Sequence, residues 1–421
     1  MNPSHGLSGQ PTNLHVSHSW GGGLSVWIDD FCEADPHADN LVLESVGTEN
    51  CYGIEFRLRH PASKRTLAAW VFRDPINEVR SSHAEYRKVL HSILEQHEIS
   101  HIYISSLIGH SLDLFRLGVK ATVIYHDYFP FCPALYLTRN SQCTSCTVAD
   151  LSSCKESSVG IRPRSSPAYY VKFRDEYFSA LKRAAVFHVA PSSSVAKNLR
   201  QIDARFSNFP FTIVEHGIPF KRQDTFGGAS EGRQLRVGVL GVLPWYKGAR
   251  ALERNFQTAR TIVDFYFIGS HYWAADFVGR WGAHHVPTYE RHELAEILAK
   301  CRLDLALFYS MVPETFSYTL SEARCFCVPP LARRIGAHEE RIQHGNDGFL
   351  FELEEEHLID SLLELDRDRD PIRQVAARLR EQPVRGIGDA VRDFYAMRNL
   401  PTPQPQKPSN LGQKQMAAVD R

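Results

Sequence analysis

No apolar run in this chain approaches the length needed to cross a bilayer, and the opening residues Met1 to Pro11 carry no basic stretch followed by an apolar one. Neither a membrane span nor a secretory leader is therefore expected. An excess of one charge is also missing. Lysine plus arginine and aspartate plus glutamate both number 48, so no global basic surface invites nucleic acid, and nucleic acid is not an expected partner. The nine cysteines are odd in number and mostly scattered, which points to a reducing compartment, the cytoplasm, rather than to a disulfide framework. What is present is bulk: 421 residues with 43% hydrophobic content can bury two cores, and the length suggests two or three domains.

Short β-rich runs separated by helical patterns recur along the chain. Leu14 to His18 leads into Trp20-Gly21-Gly22-Gly23-Leu24, a strand, a glycine turn and a helix start. Further runs stand at 102–105, 121–125, 186–190 and 211–214, and a second block begins at Leu235 and continues at 263–269, 303–308 and 328–331. Such alternation implies mostly parallel sheets covered by helices. Between the blocks, residues 221–234 are polar and glycine-rich, as a linker is. The expected fold is α/β, with two facing Rossmann-like domains at 13–220 and 235–385 and a helix over 386–400 that returns to the first domain. The cleft between them, at the carboxyl ends of both sheets, is where open α/β folds bind ligands. Residues 1–12 read as a flexible N-terminus and 401–421, rich in proline and polar residues, as a disordered tail.

The stretch richest in chemistry runs from Pro313 to Phe351. Glu314 and Glu322 flank the start of an expected helix, seven residues between them. Ionised carboxylates are pure acceptors, so one placed before the helix can take sugar hydroxyls and one two turns further can take a ribose diol. The free N–H groups of the helix start, expected from Thr315, Phe316, Ser317 and Tyr318, can hold a diphosphate without a metal. An amphipathic helix with a capping acid would carry the same bare pair of acids. The ligand reading gains from its company: Lys247 in Gly241-Val242-Leu243-Pro244-Trp245-Tyr246-Lys247-Gly248, and His126-Asp127 directly after the apolar strand 121–125.

Together these phrases resemble the donor-sugar site of retaining GT-B glycosyltransferases of family 4, of the bacterial surface-polysaccharide type, over most of the chain. The resemblance implies a GT-B fold and transfer of a sugar from a nucleoside-diphosphate sugar to a glycan or lipid-linked acceptor. It gives Glu314 the hexose and places His126 at the reacting sugar, as the two catalytic residues. Gly22 and Gly23 would let the backbone approach the donor phosphate, Lys247 would neutralise the leaving diphosphate, and residues Thr315 to Tyr318 with Glu322 would complete the donor site. In one position the chain departs from the pattern: Val242 stands where the family has arginine. No cofactor is implied for catalysis, which would be a front-face displacement in which the leaving phosphate oxygen takes the acceptor's proton. A metal-dependent transferase would instead need an Asp-x-Asp site. Asp366-Arg367-Asp368-Arg369-Asp370 reads as a solvated helix end. Two other readings stay open: a non-catalytic subunit of this fold that binds glycan or a partner, suggested by Val242, and another GT-B enzyme such as a sugar-nucleotide epimerase.

Two local features fall outside that pattern. Cys132, Cys143, Cys146 and Cys154 cluster within a short segment, and Cys143-Thr144-Ser145-Cys146 has metal-knuckle spacing. Four thiolates could hold one structural zinc, though unligated cysteines in an acceptor-side loop fit as well. Residues 161–183 interleave bases with aromatics, a composition suited either to peripheral contact with the inner face of a membrane or to a core-packing helix with solvated bases.

Overall fold

The computed structural model describes residues 10–48, 51–137, 143–157, 165–270, 273–354 and 357–399. The tail expected over 401–421 lies outside the described residues, as do residues 1–9 of the expected N-terminal segment. In chain order the first ten strands are β1 (Thr12–His18), β2 (Asp39–Thr48), β3 (Cys51–Arg59), β4 (Thr66–Val71), β5 (Val79–Arg80), β6 (Ile99–Ile104), β7 (His110–Ser111), β8 (Ala121–Ile124), β9 (Val186–Ala190) and β10 (Phe211–Ile213). Apart from β5 and β7, which pair with each other, they form one sheet in the order β10-β9-β8-β6-β1-β2-β3-β4. Pairing is parallel from β10 to β2 and antiparallel across β3 and β4. The second sheet holds β11 (Leu235–Leu240), β12 (Val263–Ile268), β13 (His284–Val286), β14 (Leu305–Phe308), β15 (Pro330–Arg333) and β16 (Phe349–Phe351). It is parallel throughout, in the order β13-β12-β11-β14-β15-β16.

Parallel strands are covered on both faces, and every residue of β1, β8, β9 and β14 is buried. β8, β9 and β14 are mostly apolar, whereas β1 buries Thr12, Asn13, His15, Ser17 and His18. The antiparallel edge strand β4 is open on one side and mostly exposed, with Leu67 and Val71 facing solvent.

The polar stretch that reads as a linker is tied down. Gln223 and Thr225 donate their N–H groups to the carbonyls of Cys325 and Phe326, Gly227 to Leu303, and Ala229 to the buried carboxylate of Asp304. With its backbone groups satisfied in this way, the segment lies as a strap along the second domain. The last described helix, Ile387–Arg398, packs on the first domain instead. Its buried Phe394 meets Trp27, Phe31 and Tyr103 at ring distances of 5.6, 5.4 and 5.8 Å. The chain therefore crosses between domains twice, and the crossings touch: Ile218 N–H donates to Arg385 O and Ile387 N–H to Ile218 O.

Because Phe394 is fully buried among three aromatic rings, Phe394→Ala is expected to cost about 3–5 kcal/mol of stability. Urea unfolding of the two proteins checks this. A loss below about 1 kcal/mol would mean that the helix contributes little to the first domain.

Candidate active site

The loop after β1 and the loop after β14 face each other across the cleft. Gly21 and Gly22 have φ of 80° and 77°, the left-handed region that glycine enters without strain. A Cβ at either would meet nothing within 4 Å, whereas one at Gly23 would stand 3.9 Å from Cδ2 of Tyr318 in the second domain. The helix Gly22–Ala34 thus presents an uncapped, unobstructed N-terminus to the opposite wall.

On that wall Glu314 and Lys247 meet, Oε1 to Nζ at 3.7 Å, and Ser310 Oγ donates to the same carboxylate oxygen at 3.3 Å. The carboxylate of Glu314 holds the ammonium of Lys247 above its ordinary pKa. Both line one cavity of ≈ 30 Å³ together with Val242, Ser317, Thr319 and His338. The Glu314 backbone is fixed by Ala337, whose N–H donates to Glu314 O at 2.9 Å. Gly336 has to be glycine: its φ is 58°, and a Cβ there would lie 2.8 Å from Glu314 N and O.

The helix that follows is Tyr318–Cys325, capped by Ser317 at a φ of 70°. Its first free N–H groups are therefore those of Tyr318, Thr319 and Leu320, three residues later than the spacing of the acids suggests. Thr315 has other work: its Oγ1 donates to His126 O at 2.8 Å, and its own carbonyl accepts from Ser192 Oγ at 2.9 Å. Phe316 is buried under the guanidinium of Arg341, 3.7 Å from the ring centre.

Glu322 is buried and paired. Arg291 Nε donates to its Oε1 at 3.2 Å, while Arg291 Nη1 donates to both oxygens of Asp30 in the first domain at 2.7 and 2.6 Å. Burial pushes the Glu322 and Asp30 carboxyls up, against the pull of Arg291. The acid expected to take a ribose is thus held by a cation that also ties the two domains together. Neither Asp30 nor Arg291 stands in a motif, and 261 residues separate them, so no signal in the sequence pairs them.

His126 sits at the carboxyl end of β8, its ring stacked on His216 and tilted against Trp27, 4.9 Å from each. Burial pushes its pKa down to about 3, so the ring is a neutral donor and acceptor at working pH. Its Nε2 is enclosed and has no hydrogen-bond partner in the protein, a nitrogen left for a ligand group. The neighbouring Asp127 is pushed up to about 7 by burial, eased by the N–H of Phe129.

The remaining expected features resolve as follows. Asp366 and Asp370 pair with Arg369 and Arg373, three residues on in each case; the second pair is exposed, whereas Arg369 is buried and donates to Ser230 O, so the stretch is solvated only in part. Cys132, Cys143, Cys146 and Cys154 line one small cavity with Asp150, yet among the described residues no three His, Cys, Asp or Glu side chains stand close enough to hold a metal ion. In the segment 161–183, helix Pro167–Leu181 turns Tyr170, Phe173, Tyr177 and Phe178 into the core and leaves Lys172, Lys182 and Arg183 exposed. No helix of the described residues is long and apolar enough to cross a membrane.

No family model and no curated protein matches the chain by sequence. Solved structures match by shape. HepE of Anabaena, in complex with UDP and glucose, superposes with a TM-score of 0.59 at 13% identity, covering 92% of this chain and 99% of that one. Sucrose-phosphate synthase of Thermosynechococcus elongatus gives a TM-score of 0.63 at 12% identity, covering 92% and 98%. The lipopolysaccharide outer core galactosyltransferase WaaB gives 0.56 at 10%, covering 92% and 100%. The chain has the GT-B fold. At such identities the likeness is one of backbone, and the site has to be argued from its own side chains.

Those side chains include an unusual number of buried neutral histidines. Burial pushes His15, His18, His110 and His338 to about 4, His126 and His188 to about 3, and His101 to about 2. Unfolded, each would titrate near 6.5. A depressed folded value means the stability is fully present above pH 6.5 and is lost as pH falls from there towards 4. At pH 5.5 each such histidine favours the unfolded chain by about 1.4 kcal/mol, and four of them would remove about 6 kcal/mol, a large part of a typical fold's stability. The melting temperature is expected to drop steeply between pH 6.5 and 5; a flat profile over that range would show that these rings are not held neutral.

Proposed function

We propose that the protein is a glycosyltransferase that moves a sugar, with retention of configuration, from a nucleoside-diphosphate sugar to a glycan or lipid-linked acceptor in surface polysaccharide or glycolipid assembly. The observation that carries this reading is the convergence of Lys247, Glu314, Ser317 and Thr319 on one cavity wall, at the free N-terminal end of the helix Tyr318–Cys325, opposite the glycine loop Gly21 to Gly23. A diphosphate needs a fixed cation and aligned N–H dipoles, and a hexose needs an acceptor-only group beside them. UDP and glucose in the HepE structure support a uridine donor. Glu322 would take the ribose once Arg291 gives way, and His126 would use its unpartnered Nε2 on the sugar or the attacking hydroxyl. With Val242 in place of a second cation, the amides and Lys247 carry the phosphate charge between them.

The reaction so described needs no catalytic cofactor, and the enzyme would work in the cytoplasm. Any contact with the inner face of a membrane would rest on Lys172, Lys182 and Arg183, since the aromatics beside them are spent in the core. A structural zinc in the cysteine cavity is proposed only with the thiols drawn closer together than they stand here, where no three of them are near enough to hold the ion. In favour stands Arg174, a buried guanidinium whose hydrogen bonds go to the carbonyls of Phe131 and Cys146 and whose charge would offset thiolates. Metal analysis should find about one zinc per chain, released in the double variant Cys143→Ser, Cys146→Ser; metal-free active protein would end that proposal.

For the transferase itself, thermal shift against nucleoside diphosphates and single-turnover transfer give the test. Glu314→Ala is expected to cut turnover at least about a hundredfold with nucleotide binding retained, and Glu322→Ala to weaken binding of donor and free nucleotide. Near-normal kinetics in both would overturn the assignment.

A further inference from the structure

A second cavity lies on the far side of the helix Tyr318–Cys325, where the chain crosses between domains. At ≈ 110 Å³ it is larger than the one between Lys247 and Glu314 and has room for several waters. His216, Ile218 and Arg222 of the outgoing crossing, Arg324 and Arg341, and Arg385 of the returning crossing form its walls.

The charges around it do not balance. Arg324 is paired with Asp347 at 2.9 Å and Arg385 with Asp393. Arg222 and Arg341 make no ion pair among the described residues. Arg222 donates to the carbonyl of Arg380, and Arg341 donates to the carbonyls of Phe316 and Ser317 and to Ser321 Oγ. Of the acids that act on Arg341, Glu215 is exposed and acts on it without a direct ion pair among the described residues, while Glu340 accepts from the amides of Ser193 and Ser194, and Asp347 from Arg324. Two donors in the wall are enclosed without a partner, Arg222 Nε and, on a ring only 4% exposed, His216 Nδ1, whose role depends on its tautomer. Burial brings Arg341 down to about 10, against the pull of Glu215 and with the neighbouring Arg324 adding to the effect. Two guanidinium groups without a direct ion pair against one cavity are favoured partners for an anion that enters it.

We propose that this cavity is a binding site for a phosphate group, separate from the donor cleft. Guanidinium forks suit a tetrahedral oxyanion that accepts from several directions. Its position gives it a consequence. The walls join both crossings, which touch at Ile218 and Gly386, to the helix that carries Glu322. A phosphate there fastens the hinge to the donor helix, so that occupancy changes donor affinity. The site stands whether or not the protein transfers sugar.

The test uses the full chain, with inorganic phosphate and a hexose monophosphate as probes against chloride at matched ionic strength. Saturable stabilisation by phosphate is expected, unchanged in Lys247→Ala and weakened at least tenfold in affinity in Arg222→Gln and in Arg385→Gln, each read by titration calorimetry and by melting. Tighter binding of the hexose monophosphate would identify a phosphorylated metabolite as the occupant; equal binding would identify the free anion. The proposal falls if phosphate gives no saturable signal. It falls equally if the signal disappears in Lys247→Ala and survives in both arginine variants, since the donor site would then be its source.

Discussion

The segment Pro313 to Ser317 is gripped from both domains, and the site depends on that grip. From the first domain, the carbonyl of His126 accepts from Thr315 Oγ1 and Ser192 Oγ donates to Thr315 O. From the second, Ala337 N–H holds Glu314 O and Arg341 holds the carbonyls of Phe316 and Ser317. These bonds position the Glu314 carboxylate beside Lys247 and sustain the positive φ of Ser317, a conformation a serine would not keep unless its surroundings fixed it. They also aim the free end of the following helix into the cleft.

Electrostatics then divides the cleft into two halves. Lys247 and Glu314 form a partly exposed pair, able to exchange partners with an incoming diphosphate and hexose at little cost. Arg291 and Asp30, both half-buried, and the buried Glu322 form a triad, where removing one partner leaves an unpaired charge. A nucleotide that takes Glu322 must supply hydrogen bonds in exchange for Arg291, and the Asp30 contact couples that exchange to the separation of the domains. On the proposed function, donor entry and domain movement would be linked through one guanidinium.

Much of this frame is legible in the amino-acid order because parallel strands are buried on both faces. The runs at Ile102, Ala121, Val186, Leu235 and Leu305 announce themselves as short, mostly apolar, β-rich stretches, and Leu14 to His18 by the glycine turn that follows it. Strands β3 and β4 do not, since an edge strand open on one face mixes exposed and buried positions. The stretch 221–234 looks like a tether from its glycine and charge content, but its backbone bonds to Leu303, Asp304, Cys325 and Phe326 make it a strap. The alternating bases and aromatics of 161–183 are ambiguous as a string; only the packing of Phe173 and Phe178 decides which face is wet.

The sequence by itself determined the architecture, the place of the cleft and the types of group gathered there, because periodicity, glycine turns and the spacing Glu314 to Glu322 are local properties of the chain. Tertiary structure alone decided which groups meet. Arg291 reaches Asp30 and Glu322, His126 packs between Trp27 and His216, and Arg222, Arg341 and Arg385 line one cavity. Each of these joins segments far apart in the chain, and a pairing of that kind follows from how two sheets dock and where the chain crosses between them, which no local pattern encodes.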